Sequence, residues 1–269
     1  RRTDMLYAIP KGIDCTDVHN HVAGNADGTL NTVRAQALLE GATRLNIHRI
    51  CISQPLTSGS PEPEEVRRAN DHVLEAMAMD KRFIGFCFVN PLRTESALEE
   101  IDRCIVERGM AGIKLYHQLL ICDEGQRPVL KRAAELGIPV LMHAGKVTDE
   151  TTRKRQPNLS NAAHFVKACK MFPDTMFIQG HIGGGGDWEW NLRELEKRPG
   201  SYVDISGSVI DAGIIRRTVD AIGADRVLFA TDGVLEEGVG KLLDANLDKN
   251  EMQAVCQGNF ERIMNARRV

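Results

Sequence analysis

This 269-residue sequence lacks three features that mark common classes of protein. No apolar run approaches the roughly 18–20 residues of a transmembrane helix, so nothing predicts a membrane-spanning segment. Basic and acidic residues number 34 and 37, whereas a nucleic-acid-binding domain usually has a clear basic excess. Aromatic residues make up only 5%, while the 24 glycines suit a fold with many short connections. We therefore expect neither a membrane nor a nucleic acid among the partners of this protein.

The seven cysteines form no CxxC pair and have no regular spacing. Cys51 and Cys87 lie in apolar, strand-like runs, where buried free thiols are common. An odd and unpatterned set of cysteines indicates a reducing compartment rather than a disulfide framework. The first residues, RRTDMLYAIPKG, are basic but contain no apolar stretch of signal-peptide length. We expect a soluble cytoplasmic protein.

Short apolar or β-branched runs alternate along the chain with segments of helical periodicity. The predicted strands cover residues 13–19, 49–53, 83–89, 111–116, 138–143, 175–181, 202–206 and 226–231. The predicted helices cover residues 31–46, 64–80, 94–108, 127–136, 159–171, 187–198, 211–222 and 249–266. Strands separated by helices indicate parallel βαβ units. Eight such units without a linker or an internal repeat favour a single (β/α)8 TIM barrel domain over residues 1–269, rather than an open doubly wound sheet.

The glycine-rich segment GHIGGGGDW follows the sixth predicted strand. It lacks the Lys-Ser or Lys-Thr pair of a phosphate-binding loop, and its glycines do not have the spacing of a dinucleotide fingerprint. We therefore predict no nucleotide cofactor at this segment.

A barrel enzyme carries its chemistry at the carboxyl ends of its strands. The first predicted strand ends TDVHNH, in which His19 and His21 are two residues apart and so share one face of the strand. The fifth predicted strand ends at His143, the sixth at His181 and the eighth at Asp232. Imidazole and carboxylate groups are good ligands for zinc, and they also suit Mn, Fe or Ni. The strand ends therefore predict a divalent metal site, with zinc as the first choice.

The other histidines fall outside this pattern. His48, His72 and His164 lie in or beside helical segments, and we assign them no chemistry. His117 follows the fourth predicted strand.

The strand ends that carry His19, His21, His143, His181 and Asp232 resemble those of the amidohydrolase superfamily and, within it, of the small metal-dependent hydrolases of the amidohydrolase-2 type. The resemblance implies a (β/α)8 barrel, one or two divalent ions and, in most members, hydrolysis of C–N, C–O or P–O bonds. Some relatives instead perform metal-dependent non-oxidative decarboxylation or hydration. The similar segments are DVHNH at 17–21, FVNPLR at 88–93, MHAG at 142–145, GHIGG at 180–184, LFATD at 228–232 and GNFERIMNARR at 258–268.

Lys114 has three alternative roles. The KLY segment at 114–116 resembles the lysine segment of cyclic-amide hydrolases, and in binuclear relatives a carbamylated lysine at the end of strand four bridges two metals. Otherwise the lysine contacts substrate or packs structurally. For a single ion, the resemblance implies ligation by His19, His21, His143 and Asp232, with His181 close to the ion or coordinating it.

The function predicted from these residues is metal-dependent hydrolysis of a small amide, lactone or ester. A bound divalent metal lowers the pKa of its water from about 15.7 towards about 7. Asp232 would take the proton of that water and return it to the leaving group, while His181 would help to stabilise the oxyanion. Asp17 is either an orienting partner of His19 or a core or turn residue. The alternatives are a decarboxylase or hydratase and, in another class, a non-catalytic metal- or ligand-binding barrel.

Four residues are candidate contacts of a small-molecule substrate: Lys114, Tyr116 and His117 at the end of strand four, and Trp188 after strand six. The basic loop at 146–156 either meets an anionic substrate or is a solvated loop. The sequence is also compatible with a homo-oligomer.

Overall fold

The computed structural model describes residues 7–57, 59–147, 149–182, 184, 188–196 and 200–269. Eight parallel strands form one sheet, in which each strand pairs with the next one along the chain. The strands are β1 (Thr16–His21), β2 (Arg49–Ser53), β3 (Phe83–Phe88), β4 (Gly112–Leu115), β5 (Pro139–Met142), β6 (Met176–Gln179), β7 (Ser201–Asp204) and β8 (Val227–Leu228).

Hydrogen bonds between β1 and the segment directly after β8 nearly close the sheet into a barrel. The N–H of Val18 donates to the carbonyl of Phe229 at 3.0 Å, and the N–H of Asp232 donates to the carbonyl of His19 at 2.8 Å. The carboxylate of Asp17 also accepts hydrogen bonds from the backbone and side chain of Thr231. The predicted (β/α)8 barrel is therefore confirmed.

Helices follow the strands and surround the sheet. They are α1 (Thr32–Leu45), α2 (Pro63–Met79), α3 (Thr94–Ile101), α4 (Arg127–Leu136), α5 (Glu150–Arg155), α6 (Ala162–Met171), α7 (Trp188–Glu196), α8 (Ile214–Ile222), α9 (Leu235–Asp244), α10 (Lys249–Gln253) and α11 (Asn259–Asn265). A π-helical turn at Asp102–Glu107 extends α3, and another at Ala254–Gly258 joins α10 to α11. Single 3₁₀ turns occur at Glu124–Gln126 and Ala224–Arg226.

Two helices escaped the sequence prediction, and one predicted strand is much shorter than expected. Helix α5 has no buried residue, so its sequence carries no apolar periodicity to detect. Helix α9 contains Gly238 and Gly240, which weaken its helical signal. Strand β8 has only two residues, because the next N–H, that of Phe229, donates to the carbonyl of Val255 instead of continuing the ladder. The first and last residues of the predicted helix 187–198 lie outside the described part of the chain.

The core has two parts, one between the sheet and the helices and one inside the barrel. Helix α11 contributes Phe260 and Ile263 to the interior part. Gly112 leaves room for the ring of Phe86, because a Cβ at this glycine would lie 2.6 Å from a ring carbon. The interior residues supplied by the strands include Val18, Cys51, Phe86, Leu141, Ile178 and Leu228. Among the described residues, no helix has both the length and the apolar character needed to cross a membrane.

Candidate metal centre

The carboxyl ends of β1, β5, β6 and β8 bring the five predicted metal-site residues into one cluster. Asp232 Oδ1 lies 2.9 Å from Nε2 of His21 and 3.8 Å from Nε2 of His19. Asp232 Oδ2 lies 3.7 Å from Nε2 of His181, and that nitrogen lies 2.9 Å from Nδ1 of His143. A single carboxylate therefore lies among three imidazoles, and a fourth imidazole contacts one of them.

The backbone at two of these residues adopts an unusual conformation. His181 has φ +67° and Asp232 has φ +50°, both in the left-handed region that few residues other than glycine adopt. Such conformations cluster at functional sites, where the surrounding structure holds them in place. Gly180, which precedes His181, leaves room for the ring of His19, because a Cβ there would lie 2.9 Å from the carbonyl of Met142 and 3.1 Å from Cε1 of His19.

Asp204, the last residue of β7, orients two of the histidines. Its Oδ2 accepts a hydrogen bond from Nδ1 of His19 at 2.7 Å. Its Oδ1 accepts from the backbone N–H groups of His181 and Ser206 and from the hydroxyl of Ser206. Burial alone would raise the pKa of this carboxyl, but His19 and the other donors hold it well below its usual range. Asp204 is therefore an ionised anchor beneath the cluster.

These contacts determine which ring nitrogens face the centre of the cluster. Since the carboxylate of Asp204 only accepts, His19 donates from Nδ1, and its Nε2 keeps a lone pair. Ser206 donates its hydroxyl proton to Asp204, so it accepts from Nδ1 of His181 at 2.7 Å, and Nε2 of that ring also keeps a lone pair. Metal-ligating histidines are oriented in this way by a partner on the other ring nitrogen.

Asp204 corrects one hypothesis from the sequence. Asp17 accepts from the backbone N–H of His19 at 3.1 Å and does not contact its imidazole. Its other oxygen accepts from Asn20, and both oxygens accept from Thr231, so Asp17 links β1 to the end of β8. Burial raises the pKa of Asp17 to about 7, although these hydrogen bonds oppose the shift. Asp17 is thus a structural link between β1 and the end of β8. The carboxylate that orients the His19 ring is that of Asp204, from β7.

The donors of the cluster fit a divalent cation. Nδ1 of His21 lies 3.3 Å from the backbone carbonyl of Ser53, and a proton on Nδ1 leaves the lone pair of Nε2 facing Asp232 Oδ1 at 2.9 Å. In this tautomer two acceptors face each other, and a cation between them would remove their repulsion. Bonds of about 2.0–2.2 Å to one ion place neighbouring ligand atoms about 3 Å apart, which agrees with this spacing. His19, His21 and Asp232 form a group whose ligand atoms all lie within 4.8 Å of one another.

Electrostatics favour the ligand forms of these side chains. Burial lowers the pKa of His19, His21 and His143, and it lowers the pKa of His181 to about 4, so the imidazoles are neutral near pH 7. Burial alone would raise the pKa of Asp232, but the contacts with His21, His19 and His181 hold it well below its usual range. Neutral imidazoles and an ionised carboxylate are the forms that bind a metal.

Lys114 lies inside the barrel, in direct contact with the cluster. Its side chain is fully buried, and Nζ lies 2.5 Å from Nε2 of His19. Burial lowers the pKa of Lys114 to about 8, with opposing contributions from Asp232 and Asp204. Its bridging, substrate-binding and structural roles all stay predictions, because each is compatible with this position.

The other predicted substrate contacts lie in different surroundings. The ring of Tyr116 stacks on that of His143, with ring centroids 4.4 Å apart, and burial raises the pKa of Tyr116 to about 12. Nε2 of His117 donates a hydrogen bond to the carbonyl of Thr57 at 2.9 Å. Trp188 is buried and donates from Nε1 to Asp211 at 2.8 Å. Tyr116 is thus next to a candidate ligand, whereas His117 and Trp188 are engaged by neighbouring loops.

A cavity of about 230 Å³ adjoins the cluster on the side of β5 to β8. His143, His181 and Asp232 form its floor, and the described residues that line it do not include His117 or Trp188. The loop at 146–156, which the sequence singled out for its basic residues, supplies part of the wall. The remaining lining residues are Ala144, Gly145, Lys146, Thr152, Gln156, Leu159, Gly184, Gly207 and Ser208.

Sequence reasoning missed Asp204 and Ser206. The signal was available in principle, because SYVDIS is an apolar run that ends in a carboxylate, as LFATD does at the eighth strand. What the sequence does not contain is the contact between Asp204 and His19, which are 185 residues apart.

The chain is similar in sequence and fold to known proteins. The amidohydrolase family model matches residues 17–264. Over 78 residues, or 28% of this chain, the sequence is 32% identical to 2-amino-3-carboxymuconate-6-semialdehyde decarboxylase of Dictyostelium discoideum, and this match spans 22% of that protein's length.

Two solved structures have the same fold at 16% sequence identity. One is a dihydroxybenzoic acid decarboxylase from Polaromonas with bound manganese and the inhibitor 2-nitroresorcinol, with a TM-score of 0.73 over 96% of this chain and 98% of that chain. The other is a 4-oxalomesaconate hydratase from Rhodopseudomonas palustris, with a TM-score of 0.73 over 94% of this chain and 96% of that chain. Because the family model matches far more than half of the sequence, the chain belongs to the amidohydrolase family.

Proposed function

We propose that this protein is a metal-dependent decarboxylase that removes a carboxyl group from a small carboxylic acid without oxidation. The observation that carries the proposal is the position of Asp232, whose carboxylate lies among three imidazoles and lines a cavity of substrate size. The proteins that the chain resembles support a lyase, because two are decarboxylases and one is a hydratase. None of these three is a hydrolase, so the hydrolysis expected from the sequence becomes the alternative.

We propose His19, His21, His143 and Asp232 as the metal ligands, with His181 beside the ion. The donor set suits zinc or manganese, and the manganese in the Polaromonas decarboxylase supports the second choice. When bound, such an ion supplies a Lewis acid for an oxygen atom of the substrate.

The proposed reaction needs one proton. As the bond between the substrate carbon and its carboxylate breaks, CO₂ leaves, the electron pair stays on the carbon, and that carbon takes up a proton. We assign delivery of the proton to Asp232 Oδ2, which lies 3.7 Å from Nε2 of His181. The 32% exposure of the Asp232 side chain allows the proton to be replaced from the cavity.

His181 has a positioning part in this proposal. The hydroxyl of Ser206 engages Nδ1 of His181, so Nε2 is the ring atom that faces the cluster, where it lies 2.9 Å from Nδ1 of His143. Tyr116, stacked on His143, contributes a neutral hydroxyl group next to the ligands.

The proposal is tested on protein loaded with manganese or zinc. We expect release of CO₂ from one or more small aromatic or unsaturated carboxylic acids, and no release of acid from lactones or cyclic amides. The double variant His19→Ala, His21→Ala should lack both the bound metal, measured by mass spectrometry, and the activity. Acid release without CO₂ would establish the hydrolase alternative. Stoichiometric metal with neither activity would favour a non-catalytic binding barrel, and wild-type metal content in the double variant would refute the assigned site.

A further inference from the structure

A buried polar network joins the two strand ends that carry three of the candidate ligands. Asp17 and Asn20 belong to β1, and Thr231 directly precedes Asp232 in the segment after β8. These three network residues are 0%, 2% and 4% exposed. Asn20 Nδ2 donates to Asp17 Oδ2 at 2.9 Å and to Thr231 Oγ1 at 3.0 Å, and the Thr231 hydroxyl donates to Asp17 Oδ2. Each member of the network therefore bonds to both of the others.

An irregularity in β1 makes this network possible. Asp17 pairs with Ile50 of β2 and Asn20 pairs with Ile52, so β1 has one more residue than β2 over this stretch. Residues three apart in a regular strand face opposite sides of the sheet, whereas the extra residue of a bulge allows them to face the same side. The contact between Asp17 and Asn20 depends on that extra residue.

The network also holds the backbone beside two candidate ligands. Asn20 Oδ1 accepts from the backbone N–H of His21 at 2.9 Å. The backbone N–H of Thr231 donates to Asp17 Oδ1 at 3.1 Å, and that of Asp232 donates to a carbonyl of β1 at 2.8 Å. The two peptide groups that flank Thr231 are thus both bonded to β1, and they hold the chain that leads into the left-handed conformation of Asp232.

Helix α9 holds Thr231 from the opposite side. A Cβ at Gly238 would lie 2.7 Å from Cγ2 of Thr231 and 3.1 Å from its Cβ, so the threonine methyl group packs against the bare backbone of the helix. Because threonine is branched at Cβ, a rotation about χ1 that moves the methyl group also moves the hydroxyl group away from Asp17. Thr231 is thus confined between α9 and the carboxylate of Asp17.

We propose that Asn20 and Thr231 are positioning residues of the metal centre, which set the distance between Nε2 of His21 and Oδ1 of Asp232 although neither is itself a ligand. The inference rests on the metal ligands proposed above and not on the type of reaction. The two ligand atoms lie 2.9 Å apart and belong to different strand ends, so their separation depends on the contacts that join those ends. Gly238 acts one step further out, because it keeps Thr231 in the rotamer that bonds to Asp17.

Thr231→Val tests the proposal, because it removes the hydroxyl group and keeps the branched shape. Competition with a chelator of known affinity should give a Kd for Mn²⁺ raised by about 10–100-fold. Thr231→Ser keeps the hydroxyl group and should restore most of the affinity, whereas Asn20→Leu should weaken binding as Thr231→Val does. Thr218→Val is the matched control and should keep the wild-type Kd. Thr218 is a fully buried threonine on α8, where its hydroxyl donates to the carbonyl of Ile214 at 2.7 Å.

Gly238→Ala tests the same position without removing a polar group. The added methyl group should displace Thr231 and raise the Kd for Mn²⁺, although alanine favours the helix itself. Gly240→Ala, with nothing within 4 Å of its Cβ position, should bind Mn²⁺ as the wild type does. The visible absorption spectrum of bound Co²⁺ depends on the arrangement of its ligands. It should change in Thr231→Val and Gly238→Ala and be retained in Thr231→Ser, whereas a loss of stability alone lowers the unfolding temperature and leaves this spectrum intact.

Wild-type Kd values and Co²⁺ spectra in both Thr231→Val and Gly238→Ala would refute the positioning role and leave the metal site standing. An equal loss of affinity in Thr218→Val would also overturn it, since any buried threonine hydroxyl would then have the same effect. A wild-type protein that binds neither Mn²⁺ nor Co²⁺ would refute the proposed metal site itself. Because these measurements need no turnover, their outcome is independent of whether the protein is a decarboxylase or a hydrolase.

Discussion

Asp204 Oδ2 accepts a hydrogen bond from Nδ1 of His19 at 2.7 Å, and both side chains are fully buried. This contact joins the last residue of β7 to a residue of β1, and it turns Nε2 of His19 towards the other candidate ligands. The second carboxylate oxygen accepts from the backbone N–H of His181 and from the hydroxyl of Ser206, and that hydroxyl in turn engages Nδ1 of His181. Asp204 thus orients the imidazole of His19 directly and that of His181 through Ser206.

Asp204→Asn should weaken metal binding. The amide cannot accept as strongly from His19 or support the tautomer of His181, and loss of such an outer partner typically costs about 10–100-fold in metal affinity. Competition with a chelator of known affinity measures the effect. Asp220→Asn is the control, because Asp220 is an exposed acid on α8 that pairs with Arg216. An unchanged dissociation constant in Asp204→Asn would contradict the orienting role.

Gly180→Ala should disturb both the metal centre and the carboxyl end of β5, because the added Cβ would contact each of them. The added Cβ would lie 2.9 Å from the carbonyl of Met142 and 3.1 Å from His19, so the imidazole has to shift. We expect reduced metal content and reduced CO₂ release. Gly240→Ala is the matched control, because nothing lies within 4 Å of its Cβ position in α9. This control should keep full metal content and gain about 0.4–1 kcal/mol in stability.

Asp232→Asn should abolish most of the activity while keeping the fold. Asn tolerates the left-handed backbone conformation of this position, so the φ of +50° is retained. The amide cannot donate the proton that the carbon needs, and general acid catalysis typically contributes about 10²–10⁴-fold in rate. The rate of CO₂ release and the circular dichroism spectrum of the variant check both parts. Wild-type turnover in this variant would remove Asp232 from the proton transfer.

Glu100 should contribute to stability in a pH-dependent way. Its buried carboxylate accepts hydrogen bonds from Asn70 at 2.9 Å and from Arg103 at 2.6 Å. Burial alone would raise the pKa of Glu100, but these donors hold it below the ordinary value of 4.5. Since the ionised form is favoured in the folded state, the stabilisation is present above pH 4.5 and is lost as the pH falls through the folded-state pKa.

Glu100→Gln should therefore destabilise the protein by about 1–3 kcal/mol near pH 7, and the difference should shrink in acid. Urea unfolding at a series of pH values measures this trend. Glu99→Gln, at the exposed neighbouring position on α3, should have little effect at any pH. A difference between Glu100→Gln and wild type that stays constant down to pH 3 would rule out the proposed linkage.

Local patterns were sufficient to predict the barrel and most of its site. Strand and helix periodicity depend on neighbouring residues, so all eight strands and the positions of His19, His21, His143, His181 and Asp232 could be predicted from the sequence. Helix α5 could not, because a short helix with no buried face leaves no apolar pattern. The early end of β8 could not, because a partner from the distant segment at Ala254–Gly258 takes its next hydrogen bond.

The barrel and the imidazole and carboxylate groups at its strand ends can be derived from the amino-acid sequence alone, since both follow from local periodicity and residue type. That Asp204, rather than Asp17, orients His19 is visible only in the folded chain, because this contact joins residues 185 positions apart. The same holds for Lys241 and Gly207, which meet only when α9 packs behind the loop that follows β7. Contacts of this kind depend on the packing of distant segments, and no local pattern records them.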